Sequence, residues 1–326
     1  MEKVCIIGAG AIGSLYAAHL ARVADVWCFV RREEHAHALN ERGLRVSGTH
    51  DFTAQVTAET RPERMPQFQL GIVATKATQA ADAFRPVAQH FDRGAVMSAQ
   101  NGLGSEEILA SLTRGKIIRA CTFMSGTRHS DSHVQYELDT ATWLGPFEPT
   151  ATPFSMVKEA TDLIVAGGLK AEALEDCRPA QWSKLIFNAS VNAVSALTGL
   201  PHCREFAEQA ELGSLGHLMR ALMEEGKSVA AAAGVRLQDD PWEMNRIGCQ
   251  TDHPPSMLYD VQHKQQTEID FLCGAIAREA ERLGVPAPLH TSMFRLIKGK
   301  ELSWSWEGDT RKVNAKQALE SYRVAK

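Results

Sequence analysis

The sequence predicts an α/β fold: a doubly wound parallel sheet with crossover helices, followed by a second domain built only of helices. Three observations predict it. Short apolar runs alternate with helix-period segments through the first half of the chain. A glycine-rich turn joins the first of those runs to the first helical segment. After Asp176 the strand signals vanish, and apolar residues recur every three to four positions. Strand–helix alternation implies parallel pairing with right-handed crossovers, and 326 residues suffice for about two domains.

Residues 4–7 read as a buried strand, 12–24 as a helix, 26–30 as a second strand and 33–41 as a second helix. Further strands are expected at 44–46, 52–56, 70–75, 95–99 and 117–124, with helices at 79–91 and 106–112. Residues 133–144, carrying Tyr136, Leu138 and Trp143, read as antiparallel strands that close the sheet. A helix at 154–166 and a short strand at 169–174 complete the first half. Helical periodicity then covers 182–197, 206–233, 256–283 and 290–300, with Pro201, Pro241, Pro254, Pro255, Pro286 and Pro288 marking breaks. The boundary falls near 176–179, giving units 1–176 and 177–326, and Pro179 suits the first turn of a long helix. The polar tail from about Lys312 is expected to be loosely held.

Composition narrows the function. Hydrophobic residues at 44% and charged ones at 23% support a packed core and argue against disorder. A net charge of −4 without a long basic run argues against a nucleic-acid partner. No apolar stretch approaches the roughly 18 residues of a membrane span, and the opening residues run straight into a strand pattern, leaving no room for a signal peptide. The expected compartment is the cytoplasm. Seven scattered cysteines without a C-x-x-C pair fit reduced thiols better than a disulfide framework. His35/His37 and His129/His133 have spacings a metal could use, but no Cys or acidic cluster accompanies them, so no metal site is expected.

Gly8-Ala9-Gly10-Ala11-Ile12-Gly13 is a G-x-G-x-x-G pattern that follows a strand and opens a helix, which is the context of a Rossmann-type dinucleotide-binding turn. Gly8 would permit the tight turn, Gly10 would let backbone approach a pyrophosphate, and Gly13 would let helix and strand pack closely. The helix N-terminus, opening on Ala11 and Ile12, would offer free N–H donors to that anion. The second strand ends in Arg31-Arg32 where an NAD-selective site carries an acid. A guanidinium pairs with a 2′-phosphate, each charge-assisted bond being worth roughly 1.5–3 kcal/mol. NADP(H) is therefore the expected cofactor. Two solvated surface arginines are the competing reading.

Lys184, Asn188 and Asn192 recur every four residues on a helix otherwise rich in apolar residues. Each step of four advances about 40°, so the three share one face. Such groups amid core residues line a cleft more readily than a packing surface, because unpaired buried polar groups cost roughly 1–3 kcal/mol each. A polar stripe facing water is the alternative. A second cluster is Ser256-Met257, Asp260 and Thr267-Glu268-Ile269-Asp270; by spacing, Glu268 sits in a helix and could equally be a surface acid.

Together these residues, with Lys76 after the 70–75 run and Gln100-Asn101-Gly102, resemble the ketopantoate reductases (2-dehydropantoate 2-reductases) from residue 3 to about residue 298. The resemblance implies a Rossmann half joined to a helical half like that of 6-phosphogluconate dehydrogenase, with NADPH reducing a 2-oxo acid in the cleft. It implies Lys184 as the catalytic lysine, Glu268 as its assisting acid, and Asn101, Asn188, Asn192 and Ser256 as substrate contacts. Gly8, Gly10, Ala11, Ile12, Gly13, Arg31, Lys76 and Asn101 fall on the cofactor side.

Departures bear on the substrate. The segment before Thr267 reads His263-Lys264-Gln265-Gln266, the later Thr-Pro-x-Asn position reads Ala287-Pro288-Leu289-His290, and residues 123–129 are bulkier than the usual small-residue loop. Arg128 would clamp a second acidic group or lie on the surface. The leading expectation is reduction of ketopantoate to (R)-pantoate, a step of pantothenate and coenzyme A synthesis. Another 2-oxo or 2-hydroxy acid, or a non-catalytic NADPH sensor, are the alternatives. The apolar helices leave room for a homodimer.

Overall fold

The computed structural model describes residues 1–207 and 211–306. Four apolar side chains in a row, Val4 to Ile7, are fully buried and form the centre of the first strand, β1 (Lys3–Ile7). The chain turns at Gly8 into α1 (Ala11–Leu20), returns through β2 (Asp25–Phe29) and α2 (Glu33–Arg42), and then makes three short strands: β3 (Leu44–Gly48), β4 (Phe52–Ala54) and β5 (Thr57–Glu59). After β6 (Leu70–Val73) come a 3₁₀ turn, α3 (Ala80–Phe84) and a further 3₁₀ stretch; β7 (Ala95–Ser98), α4 (Ser105–Ala110) and β8 (Lys116–Thr122) follow. The hairpin β9 (Ser125–Ser130) and β10 (His133–Leu138), then β11 (Thr142–Pro146), α5 (Phe154–Ala166) and β12 (Ala171–Ala173) complete this half.

Two sheets result. The larger has the order β12-β11-β8-β7-β6-β1-β2-β5, parallel except where β11 runs against β8. Ile6 of β1 faces Cys28 on one side and Ile72 on the other. The smaller has the order β4-β3-β10-β9. Helix α1 packs against both sheets, so Gly13 to Leu20 are all buried. A helix enclosed on every side reads as uniformly apolar.

The described residues of the second half are helical, apart from an isolated bridge between His202 and His253. Helix α6 (Arg178–Thr198) has a proline in its first turn and stops at Gly199, whose φ of 77° is left-handed. Around α6 pack α7 (Ser214–Ala232), α8 (Pro241–Gly248), α9 (Ser256–Gln262), α10 (Cys273–Leu283) and α11 (Pro288–Ser303). Their shared core includes Leu185, Ile186, Met219, Leu222 and Ile276.

Several expectations change. Of residues 133–144, only β11 extends the large sheet; β10 belongs to the small one, parallel to β3. The expected strand 52–56 ends at Ala54, and β5 that follows it joins the other sheet. Much of the expected loop 123–129 is β9. Pro86, which lacks an N–H, lies where the expected helix 79–91 tightens into 3₁₀ turns. The first helix stops at Leu20 rather than continuing to Ala24. Helix α7 begins at Ser214, and residues 208–210 of the expected 206–233 helix lie outside the described residues. The expected helix 256–283 breaks into α9, a 3₁₀ turn and α10. The tail from Lys312 also lies outside the described residues. Helix α8 was not expected; Asp240 caps it by accepting from the Trp242 N–H at 2.8 Å, with Pro241 in the first turn.

Candidate active site

The glycine turn meets the demands of a pyrophosphate cradle. Gly8 has φ 94°, and a Cβ there would collide with Thr75 at 2.4 Å. A Cβ on Gly13 would lie 2.1 Å from the Gly8 carbonyl oxygen, so the helix can approach the strand only without one. A Cβ on Gly10 would meet nothing within 4 Å: that glycine keeps open space in front of the turn. No side chain caps α1 and no acid sits in its first turn. The first-turn N–H groups, those of Ala11, Ile12 and Gly13, therefore face that space with the positive end of the helix dipole. Thr75 Oγ1 beyond β6 and Gln100 Nε2 beyond β7 are buried without a hydrogen-bond partner. Unpaired polar atoms at the carboxyl ends of adjacent parallel strands suit a dinucleotide lying across them.

Arg31 and Arg32 part company. Arg32 pairs with Asp131 at 2.5 Å, and Arg128 binds the same carboxylate at 2.7 Å. Arg31 is exposed beside them and pairs with no described residue. Arg128 is thereby held at the β2 end of the domain. Gln265 is an exposed loop residue. His290 is fully buried, its Nε2 3.0 Å from the Leu222 carbonyl, so it belongs to the helical core.

Lys184 projects from α6 toward the carboxyl end of the large sheet. Its Nζ donates to Asn101 Oδ1 at 2.7 Å and to the Thr122 carbonyl oxygen, and lies 5.2 Å from the centroid of the Phe123 ring. Burial pushes its pKa below the ordinary lysine value, while Cys121 and Glu268 pull the other way. Glu268 is 9% exposed and accepts from the Ala77 N–H at 2.8 Å. Burial raises its pKa; the Ala77 hydrogen bond and the charges of Lys76 and Lys184 oppose that rise.

The helix break described above puts Glu268 there. Thr267 is tied through both its N–H and Oγ1 to Glu301, at 2.9 and 2.7 Å, and Glu268 precedes the 3₁₀ turn Ile269–Phe271. Lys76 forms an ion pair with the buried Asp260 of α9. The Leu103 N–H donates to the Phe271 carbonyl at 3.0 Å. The two halves are thus joined at several points around Lys184.

Asn192 sits on the same helix as Lys184 and Asn188, but its amide is engaged. Its Oδ1 accepts from the Met257 N–H at 3.1 Å and from Ser256 Oγ at 3.3 Å, and its Nδ2 donates to the Asn188 carbonyl at 3.0 Å. It therefore fastens the start of α9. The Asn188 side chain, partly exposed, has no partner among the described residues. Gln181, one turn before Lys184, was not singled out in the sequence. Its Nε2 donates to buried Glu106 at 2.7 Å and to the Gly102 carbonyl at 3.4 Å, and its Oε1 accepts from Arg119 at 3.1 Å. It holds the loop that carries Asn101 against α6. No spacing signal marks it, because its partners lie on distant segments. Among the described residues, no group of three His, Cys, Asp or Glu side chains is placed to hold a metal. No helix among them is long and apolar enough to cross a membrane.

A glycine-turn Rossmann domain, a helical domain and a partly buried lysine held between them define a two-domain, dinucleotide-dependent oxidoreductase. The family description "Ketopantoate reductase PanE/ApbA" matches residues 4–149, and its C-terminal counterpart matches residues 176–301. The chain belongs to the ketopantoate reductase family. It is 29% identical over 303 residues to a 2-dehydropantoate 2-reductase of Archaeoglobus fulgidus, covering 92% of this chain and 98% of that one. The Vibrio cholerae protein of the same name is 25% identical over 313 residues, covering 93% and 99%. The crystal structure of a PanE/ApbA family ketopantoate reductase from Ralstonia eutropha JMP134 superposes with a TM-score of 0.80 at 28% identity, covering 92% of this chain and 99% of that one. A D-mandelate dehydrogenase solved with NADH and anilino(oxo)acetate matches with a TM-score of 0.82 at 21% identity over 92% and 99% of the two chains, a likeness of fold alone.

Proposed function

We propose that this protein reduces the ketone of a 2-oxo acid, 2-dehydropantoate, to the 2-hydroxy acid (R)-pantoate with NADPH, a step of pantothenate and coenzyme A synthesis. The observation that carries the reading is the Lys184 ammonium, held by Asn101 and Thr122 where the sheet's carboxyl end meets α6. When bound, the reduced nicotinamide supplies the hydride. Gly8, Gly10, Ala11, Ile12 and Gly13 would hold its pyrophosphate, Arg31 its 2′-phosphate, and Lys76 and Asn101 the nicotinamide end.

As charge develops on the ketone oxygen, Lys184 stabilises it and transfers a proton from Nζ. Burial makes that proton easier to give up than a solvated lysine's. Glu268 acts in the opposite sense, favouring the ammonium before the substrate arrives. In this reading the side-chain amides of Asn101 and Asn188 would donate to the substrate's polar groups, and Ser256, whose hydroxyl donates to Asn192 at 3.3 Å, would turn from Asn192 to reach it. Residues 1–176 serve the cofactor and 177–326 the substrate. Seven buried free thiols favour the reducing cytoplasm, and exposed Leu302 and Trp306 favour a homodimer.

Loss of NADPH absorbance on adding 2-dehydropantoate tests the reaction. Arg31→Ala should raise KM for NADPH by about 10- to 100-fold while leaving NADH unchanged. Absence of turnover with every 2-oxo acid would replace this reading with a non-catalytic NADPH-binding protein.

A further inference from the structure

Phe123 follows β8 directly, and its ring centroid lies 5.2 Å from Lys184 Nζ. Two other rings stand edge-on to it: Phe187 of α6 at 6.3 Å and Trp143 of β11 at 6.4 Å. Phe123 and Phe187 both remain partly exposed, although Phe187 packs against the helical core. A ketone oxygen accepting from Nζ lies about 2.8 Å from it. The groups on the carbonyl carbon then occupy the same shell around Nζ as the Phe123 ring.

The polar complement on this face is thin. Asn192 has spent its carbonyl on Met257 and Ser256, and the Ser256 hydroxyl points back at Asn192. Asn101 already serves Lys184. The side-chain amide of Asn188 has no partner among the described residues, and the groups nearest Nζ on this side are the partly exposed rings of Phe123 and Phe187.

We infer that Phe123, backed by Phe187, is a specificity-determining wall that selects 2-oxo acids with a bulky apolar carbon at C3, quaternary or aryl, over unbranched ones. The inference rests on the 2-oxo acid reductase reading and names the substrate class of that same site. An aromatic wall gains from each apolar group laid against it, and a single methylene can change kcat/KM by about tenfold or more.

The test compares kcat/KM for 2-oxopropanoate, 3-methyl-2-oxobutanoate, 3,3-dimethyl-2-oxobutanoate, phenylglyoxylate and 2-dehydropantoate. The wild type should improve as C3 becomes bulkier. Phe123→Ala should cut the tert-butyl and phenyl substrates by about 10- to 100-fold and 2-oxopropanoate by less than about threefold. Phe123→Leu, which keeps the fold's apolar volume, should fall between them. An equal proportional loss on all substrates would mean that the ring acts only through Lys184, and no change would mean that it touches no substrate; either overturns the inference. A wild-type enzyme that turns over 2-dehydropantoate but shows a flat profile across the series also overturns it and leaves the reductase reading standing. Wild-type inactivity on every 2-oxo acid overturns both.

Discussion

Replacing Lys184 with methionine keeps the length and apolar stem of the side chain and removes its ammonium. Two losses follow. A preorganised donor to a developing oxyanion is worth about 10²–10³ in kcat, and a positioned proton donor about 10²–10⁴. Both functions belong to one atom, so they do not multiply. The expected fall is about 10³–10⁴-fold, or about 4–5.5 kcal/mol at 1.36 kcal/mol per decade. Stability should change little, because desolvation that disfavours the charge is offset by the Asn101 and Thr122 oxygens left without their donor, a loss of about 1–3 kcal/mol. Steady-state NADPH oxidation at saturating 2-oxo acid measures kcat, and thermal unfolding reports the fold. The wild-type kcat should decline as pH rises through the pKa of Lys184, below the ordinary lysine range, since the donor is lost on deprotonation. The variant should lack that limb. A folded Lys184→Met enzyme within tenfold of wild type would refute the assignment of Lys184 as donor.

Gly10→Ala should fold normally, because its Cβ meets nothing, yet weaken NADPH binding at least about tenfold by filling the approach to the turn. Gly13→Ala should unfold more easily, since its Cβ would lie 2.1 Å from the Gly8 oxygen; equal melting temperatures for the two variants would contradict this. Burial raises the Glu268 pKa above its unfolded value, so its carboxylate costs native stability at pH above the folded pKa, and that cost disappears below the unfolded one. Glu268→Gln should therefore lower kcat while raising stability by about 0.5–2 kcal/mol at pH 8, with the gain fading in acid; a lower melting temperature at pH 8 would show the charge to be net stabilising. Asn192→Ala leaves the Met257 N–H buried and unpaired and should cost about 1–3 kcal/mol in a denaturant titration; an unchanged midpoint would mean that water replaces the amide.

Local chemistry made much of this molecule legible. The glycine turn announces itself because its three glycines stand directly between an apolar run and a helical segment, and the apolar run at β1 has no alternative but the sheet centre. The four-residue spacing of Lys184, Asn188 and Asn192 likewise suffices to place them on one helix. What spacing cannot show is partnership across the chain. Lys184 meets Asn101 from 83 residues away, and Ala77 meets Glu268 from 191; the family resemblance grouped Lys184, Asn101 and Glu268, and nothing anticipated Ala77. The alternation of Val134 and Tyr136 signals a strand, yet nothing local tells β10 to pair with β3 instead of closing the larger sheet. The capping of α9 by Asn192 was hidden for the same reason. In contrast, Asp240-Pro241 carried a local signature of the start of α8 that the proline had obscured by reading as a break.

The hydrogen bond from Ala77 to Glu268 ties the acid of one half to the main chain of the other. Lys184 is likewise steadied by acceptors that its own helix does not provide. Neither half therefore supplies by itself both groups and the contacts that hold them. Parting them would leave Lys184 without Asn101 and Thr122, and Glu268 without the Ala77 N–H, in a single step.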